Sequence, residues 1–377
     1  MAACNKAHIK PNTLSDSTIA KNDSIAKADT LPSFNSPTGL AIDAAGNLYV
    51  ADYGNNLIRK IAAGGVVSTF AGSGTEGSIN ALGVLASFTR PMGIAVDASG
   101  NLYVADSGNE LIRKINSAGL VSTLAGSDST GSANGASLAA TFFSPSGVAV
   151  DASGNVYVAD AGNNQIRKIT TGGTVSTLAG LDTLGMPAII NPTGVAVDNS
   201  GNILVANYLN NNILLVNSAG SVSLFAGTGQ GSANGPAASA SFYLPNSVAV
   251  DAAGNVYVAD GVNNLIRKIS TPRNVTTLAG NGSAGAVDST GVAASFNGPA
   301  GLAVDVAGNV YVADSNNNLI RKITPAGVVT TIAGSGQQGA KNGIAIAHSN
   351  TKGLKALPKN RVQVIYKTVR RGSAISH

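Results

Sequence analysis

The feature that most constrains this chain is one pattern repeated six times in register. An Ala-Val-Asp or Ala-Ile-Asp mark recurs at Asp43, Asp97, Asp151, Asp198, Asp251 and Asp305, with spacings of 54, 54, 47, 53 and 54 residues. In its full form each copy continues through Gly-Asn, Tyr-Val-Ala-Asp and Ile-Arg-Lys-Ile to Val-Ser-Thr-Leu-Ala-Gly. A period of this length is typical of propellers and solenoids.

Each copy contains four short segments with the composition of β-strands. In the first copy these are "GLAID", "NLYVAD", "LIRKI" and "VVSTFAG", which are separated by Gly, Asn, Asp and Ser. In the link "DAAGN" the Asp can accept hydrogen bonds from turn amides, and Gly supplies a positive φ. No segment has a helical period. The pattern therefore predicts an all-β fold, a six-bladed β-propeller with four antiparallel strands per blade.

The stretch "PTGLAIDAAGNLYVADYGNNLIRKI" and its five siblings resemble the NHL-repeat family. The resemblance implies a propeller that serves as a rigid platform for partners. It also keeps two alternatives open. Some six-bladed relatives similar to lactonases hold calcium near the central channel, and some similar propellers bind single-stranded RNA through a basic face.

Three regions are expected along the chain. Residues 1–33 are expected to be a disordered linker, residues 34–334 the propeller, and residues 335–377 a basic C-terminal tail that could be a truncated further repeat. The stretch "SGQQGAKNGIAI" resembles a loop leading into another repeat. The first copy begins with its first strand and the last ends with its fourth, so no strand is obviously borrowed between the termini, and the pattern leaves open how the ring closes.

The single cysteine, Cys4, stands in "MAACNK", which resembles the end of a bacterial lipoprotein signal. The alternative is an ordinary thiol in a tail. With lipid attachment at Cys4, the chain would be exported and held at the cell envelope or outside the cell, and a lipid anchor would be its only link to a membrane.

The charges belong mainly to the repeat. The formal charge is +5, but residues 335–377 carry eight Lys or Arg and no acid, so the rest has 16 basic and 19 acidic residues. A basic whole-chain charge is therefore weak evidence for nucleic-acid binding. The only histidines are His8, His348 and His377. A histidine zinc site or a Ser-His-Asp set cannot be built in residues 34–334.

Repeat 4 provides an internal comparison for the repeated charges. Five repeats have an Asp followed seven residues later by an Arg, whereas repeat 4 has Asn207 and Leu214. Because both charges vanish together, we expect Asp and Arg to form structural pairs. The expected pairs are Asp52 with Arg59, Asp106 with Arg113, Asp160 with Arg167, Asp260 with Arg267, and Asp314 with Arg321.

Any function is expected to depend on the residues that differ between the repeats. The links between copies are long and rich in Gly, Ser, Ala and Asn, and long loops often carry function. Non-repeating residues expected on that face are candidate partner contacts: Glu76, Arg90, Glu110, Tyr208, Leu209 and Tyr243. The leading hypothesis is a monomeric, non-catalytic module that binds protein or glycan partners, without a cofactor, a metal or a catalytic residue. The alternatives are a divergent hydrolase or lactonase with a channel metal, and an RNA-binding propeller.

Overall fold

The structure, a computed structural model, describes residues 31–180 and 189–344. Within these residues the chain forms six antiparallel sheets arranged as the blades of a propeller, and it has no α-helix. The predicted six-bladed all-β fold is therefore confirmed. Cys4 lies outside the described residues. No helix in the described ranges is long and apolar enough to cross a bilayer.

Each blade has four main strands, here called a to d in chain order. The a strands are Pro37–Ile42, Pro91–Val96, Pro145–Val150, Pro192–Val197, Pro245–Val250 and Pro299–Val304. The b strands are Leu48–Asp52, Leu102–Asp106, Val156–Asp160, Ile203–Asn207, Val256–Asp260 and Val310–Asp314. The c strands are Leu57–Ile61, Leu111–Ile115, Gln165–Ile169, Asn212–Val216, Leu265–Ser270 and Leu319–Ile323. The d strands are Val66–Ala71, Val121–Ala125, Thr174–Ala179, Val222–Ala226, Asn274–Ala279 and Val329–Ala333.

The hydrophobic core lies between adjacent blades. One cluster, for example, joins Tyr49 and Ile58 of blade 1 to Phe88, Ile94 and Val104 of blade 2. Five such clusters connect consecutive blades, and a sixth joins blade 6 to blade 1. Burial of one such aromatic side chain contributes about 2 to 3 kcal/mol. Each blade therefore buries apolar side chains against both of its neighbours.

The a strands surround the central channel and approach each other closely. A Cβ on Gly93 would meet the carbonyl oxygen of Ser146, and a Cβ on Gly147 would lie 2.7 Å from the carbonyl oxygen of Thr193. Five blades have Gly at this position, and blade 5 has Ser247. In the five blades that have it, the Gly after Pro-x allows close backbone packing around the channel.

The ring is closed by residues near both ends of the described chain. Gly343–Ile344 forms a short fifth strand that pairs with Val66 and Val67 of blade 1. Phe34 also pairs with Gln338, and the backbone N–H of Ser33 donates to the carbonyl of Lys341. Each blade takes its four main strands from one repeat, and only this two-residue strand passes from the far end of the described chain into blade 1. Residues of the stretch that resembles a loop leading into a further repeat thus lie against the segment that precedes blade 1.

Candidate functional site

The long loops between blades are fixed by a buried arginine, as blade 2 illustrates. Arg113 lies 2.6 Å from Asp106 in an ion pair in which neither side chain is exposed. Its other amino group donates to the carbonyl of Ile79 at 3.1 Å and to the Asn80 side chain at 2.8 Å. The guanidinium therefore holds the preceding loop against its own blade.

The partner carboxylate of Asp106 completes this anchor. It accepts hydrogen bonds from the backbone of Thr89 at 2.7 Å and from the Asn109 side chain at 2.8 Å. Burial raises the pKa of Asp106 to about 6, while these hydrogen bonds and the positive charge of Arg113 act in the opposite direction. The ring of Phe88 lies 5.1 Å from the guanidinium carbon. The loop before blade 2, the b–c turn of this blade and the ring of Phe88 thus all contact the Asp106–Arg113 ion pair.

The same arrangement occurs in five blades. The ion pairs are Asp52–Arg59, Asp106–Arg113, Asp160–Arg167, Asp260–Arg267 and Asp314–Arg321, with separations between 2.6 and 2.9 Å. All ten side chains are fully buried. These charges belong to the scaffold, and none of them is available to a ligand on the surface.

Blade 4 differs from the other five blades at this anchor. Asn207 takes the Asp position and still accepts the backbone N–H of Ile190 at 2.7 Å. Leu214 replaces the Arg, and Ile189 replaces the Phe, which lies over the guanidinium in the other blades. The loop before this blade is also shorter in sequence. Blade 4 therefore lacks the Asp, Arg and Phe of the loop anchor together, while Asn207 keeps the hydrogen bond to the Ile190 backbone.

The first Asp of the repeat closes the a–b turn. Asp43 accepts hydrogen bonds from the backbone and side chain of Asn47, both at 2.8 Å, and from the Tyr49 hydroxyl at 3.3 Å. Burial raises the pKa of Asp43, but these hydrogen bonds outweigh it and lower the pKa below its ordinary value. The carboxylate is therefore occupied by the turn, and among the described residues no group of three or more His, Cys, Asp or Glu could hold a metal ion.

The sequence candidates do not form one site. Glu76 and Arg90 are exposed near blades 1 and 2, and the backbone N–H of Arg90 donates to Asn56 at 2.8 Å. Glu110 is only half-exposed, and its carboxylate accepts the backbone N–H of Ser144 in blade 3 at 2.5 Å. Its pKa is raised by burial and by the Asp160 charge, although the Ser144 hydrogen bond lowers it. Glu110 therefore contributes to contact between blades.

The other three candidates lie on facing segments of blades 4 and 5. Tyr208 and Leu209 belong to the b–c turn of blade 4, and the side chain of Leu209 is 52% exposed. Asn211 of the same turn accepts the backbone N–H of Leu244, the residue after Tyr243. The carbonyl of Tyr243 in turn accepts the N–H of Val262. Tyr243 is thus next to the central cavity but does not line it.

The central cavity has a volume of about 580 Å³ and involves all six a strands. At its mouth, Thr38, Ser146, Thr193 and Asn246 each donate a side-chain hydrogen bond to the Pro carbonyl of the next blade. One position deeper lie the glycines and Ser247, followed by a ring of Leu, Ile and Val. Every lining side chain is neutral. The cavity therefore offers hydrogen-bonding groups and apolar surface, and none of its lining side chains carries a charge.

The mouth widens over blades 5 and 6. Its lining there includes Gly261 and Val262 in the b–c turn of blade 5, Gly298 before blade 6, and Ser315 and Asn316 in the turn of blade 6. In the other five blades the position of Gly261 holds Tyr, Ser or Ala, and that of Gly298 holds Ser, Arg, Asn or Leu. Two missing side chains thus distinguish this sector from the rest of the ring.

The residues of this sector were not among the sequence-based candidates, because those were chosen mainly as charged or aromatic residues that differ from the repeat. The signal was present as replacements among small and polar residues: Asn246-Ser247, Gly261-Val262 and Asn316. Such changes are common in loops, and only the ring geometry brings them to one opening.

Comparison with known protein families identifies the repeat. Residues 34–61, 142–169, 242–269 and 296–323 match the NHL repeat, and residues 79–137 match the Teneurin NHL domain. The chain is 32% identical over 302 residues to Protein SUPPRESSOR OF QUENCHING 1, chloroplastic, from Arabidopsis thaliana, covering 77% of this chain and 25% of that protein. It is 28% identical over 333 residues to NHL repeat-containing protein 2 of Bos taurus, covering 76% and 46%. The chain therefore spans less than half the length of either relative.

Solved structures with the same fold have different functions. An auxiliary nutrient binding protein from Bacteroides thetaiotaomicron matches with a TM-score of 0.58 and 17% identity, covering 77% of this chain and 69% of that one. A streptogramin B lyase structure matches with a TM-score of 0.51 and 13% identity, covering 84% and 89%. At these identities the similarity establishes the fold alone.

Proposed function

Because the chain belongs to the NHL-repeat family and forms a six-bladed propeller, we propose that it is a non-catalytic module that binds protein or glycan partners. Its ligand site is the wide mouth of the central cavity over blades 5 and 6. The supporting observation is a cavity of about 580 Å³ whose lining combines hydrogen-bonding groups with apolar surface. Concave sites of this size, with a few convergent polar groups, are typical of ligand pockets.

The scaffold suits ligand recognition because hydrogen bonds between blades 5 and 6 hold the residues of the mouth in place. The backbone N–H of Gly298 donates to Asn264 in blade 5 at 2.9 Å, and Asn246 donates to the Pro299 carbonyl of blade 6 at 3.0 Å. These contacts join the two blades that form the opening. A site held by such contacts loses little conformational entropy when a ligand binds.

The two alternative functions require groups that this site does not present. General acid–base catalysis needs a titratable group within reach of the substrate, and the lining residues are all neutral. An RNA-binding face needs accessible cations, and the five repeated Arg side chains are fully buried against Asp. No observation on the described residues favours either alternative.

The proposal can be tested by closing the cavity with a residue that the repeat already uses. Gly261→Tyr introduces the side chain that blades 1 and 4 carry at this position, as Tyr53 and Tyr208. Saturation-transfer NMR with a mixed library of sugars and short peptides should detect ligands for the wild type that the variant no longer binds. Binding unaffected by the variant would place the site elsewhere, and chemical turnover of a bound compound would contradict a non-catalytic module.

We also propose that the protein acts as a monomer at the cell envelope or outside the cell, tethered through Cys4. Mass spectrometry of the mature protein tests the tether, because lipid attachment would change the mass of the peptide that contains Cys4. An unmodified Cys4 in protein isolated from its natural source would contradict it.

A further inference from the structure

Two glycines make room for amide side chains at one sector of the sixfold ring. A Cβ on Gly261 would collide with the amide nitrogen of Asn246, and a Cβ on Gly298 would collide with that of Asn316. The amides of Asn246 and Asn316 therefore lie where side chains would otherwise stand. The result is a local cluster of amides at the mouth of the channel.

The amides are held in place but keep hydrogen-bonding capacity. Asn246 donates to the Pro299 carbonyl at 3.0 Å, and Asn316 donates to the side-chain oxygen of Asn297 at 3.3 Å. Within residues 31–180 and 189–344, the side-chain oxygens of Asn246 and Asn316 and the amide nitrogen of Asn297 have no hydrogen-bond partner. The Ser315 hydroxyl, which also lines the cavity, likewise has none. The mouth thus presents two acceptors, one donor and a hydroxyl.

The rim also has an apolar component. The side chain of Val262 is 47% exposed at the edge of this sector, and Val248 and Leu302 line the cavity at a deeper level. A ligand that matches these features has alternating donors and acceptors on one side and C–H groups on the other. Because no lining side chain is charged, the site gives no Coulombic advantage to a charged ligand.

From this arrangement we infer that the mouth over blades 5 and 6 binds a neutral carbohydrate. Sugar hydroxyls both donate and accept, so a vicinal pair can use the donor and acceptor atoms of Asn297 and Asn316, while the sugar C–H face can pack on Val262. An extended peptide bound by strand addition would need an open strand edge. Here the a strands pack closely against one another at the glycines that follow Pro-x, so they offer no open edge to a peptide strand. The carbohydrate is therefore favoured over the peptide.

This inference rests on the proposed function and has its own test. The probe is an array of neutral oligosaccharides built from glucose, galactose, mannose and N-acetylglucosamine, with sialylated and uronic-acid glycans beside them. We expect binding to neutral members, with affinity that changes less than twofold between about 0.05 and 0.5 M salt. Preference for the charged glycans, or an affinity that falls steeply with salt, would overturn the inference.

The location is tested with matched variants. Gly261→Tyr and Gly298→Ser should each weaken binding of the selected glycan at least tenfold. Ser107→Tyr is the control, because it places the same ring at the equivalent turn position of blade 2, where the residue does not line the cavity. The control should bind like the wild type and should have the same circular dichroism. Equal affinity of Gly261→Tyr and wild type would overturn the proposed location.

The outcomes separate the two proposals. If no glycan binds but short peptides bind the wild type and not Gly261→Tyr, the carbohydrate inference fails and the binding module stands. If neither class of ligand is sensitive to Gly261→Tyr, both fail.

Discussion

The guanidinium of Arg59 in blade 1 donates a 2.8 Å hydrogen bond to the carbonyl oxygen of Lys341, 282 residues later in the chain. It also donates to the Asn342 side chain at 2.8 Å. In blade 2 the equivalent Arg113 binds one continuous loop, through Ile79 and Asn80. The loop of blade 1 is therefore assembled from two distant segments, and the same arginine anchor that fixes the other loops also closes the ring.

The closing segment is expected to stabilise the whole propeller. Deletion of residues 335–377 removes the contacts of Lys341 and Asn342 with Arg59, as well as the Gly343–Ile344 pairing. Because a buried charge loses acceptors, we expect a loss of about 2 to 4 kcal/mol in the free energy of unfolding. Deletion of residues 345–377 alone retains all these contacts and is the matched control. Equal urea midpoints for the two deletions would contradict this role.

The buried ion pair should behave as a unit. Arg113→Leu alone leaves Asp106 as an unpaired buried charge, and we expect it to cost about 3 to 5 kcal/mol. The double variant with Asp106→Asn recreates the Asn207 and Leu214 of blade 4, so it should cost clearly less than the sum of the two single changes. Urea denaturation of all four proteins gives the coupling energy. A coupling energy of zero would show that the charges do not depend on each other.

Glu110 occupies a position where the other five blades have Asn, and its φ is 57°. Asn tolerates this left-handed conformation and can accept the same N–H of Ser144, without the Asp160 repulsion that raises the Glu110 pKa. We expect Glu110→Asn to stabilise the protein by about 0.5 to 1 kcal/mol. Glu110→Ala should destabilise it by about 1 kcal/mol, because the N–H of Ser144 loses its acceptor. Thermal unfolding with the opposite order of stability would argue against this structural role.

The repeated Asp–Tyr turns predict a decline in stability at high pH. Burial, together with the hydrogen bond to Asp97 and its negative charge, raises the pKa of Tyr103 to about 12. Tyr49, Tyr157 and Tyr311 have the same shift from the same kinds of contact. Because the folded state retains these protons more tightly, their contribution is complete below about pH 10 and is lost as the pH rises through about 12.

Urea unfolding between pH 8 and 12 measures this decline. Tyr103→Phe keeps the ring and removes the titrating hydroxyl, so its stability should fall less over this interval. An identical slope for variant and wild type would mean that the hydroxyl of Tyr103 does not titrate differently on folding.

Much of the fold could be predicted from the sequence because the same pattern of strand and turn residues recurs six times. The Asp-x-x-Gly-Asn turn needs only neighbouring atoms, such as those of Asp43 and Asn47, so its structural role follows from local chemistry. The pairing of Asp and Arg could be predicted because blade 4 lacks both residues. The structural role of the candidate partner contacts was harder to predict. Glu110 was selected as a variable residue, yet it replaces an Asn in a contact between blades that repeats around the ring.

The sequence by itself determined the blade: its four strands, its turns and its charged pair all depend on residues within one repeat. Only the tertiary structure decided how the ring closes and where it opens. The anchor of Arg59 is completed by Lys341 and Asn342. The mouth over blades 5 and 6 is shaped by Gly261 and Gly298, which make room for the amides of Asn246 and Asn316. The ring closure joins segments 282 residues apart, and the mouth is lined by residues of two neighbouring blades, so neither follows from the pattern of one repeat.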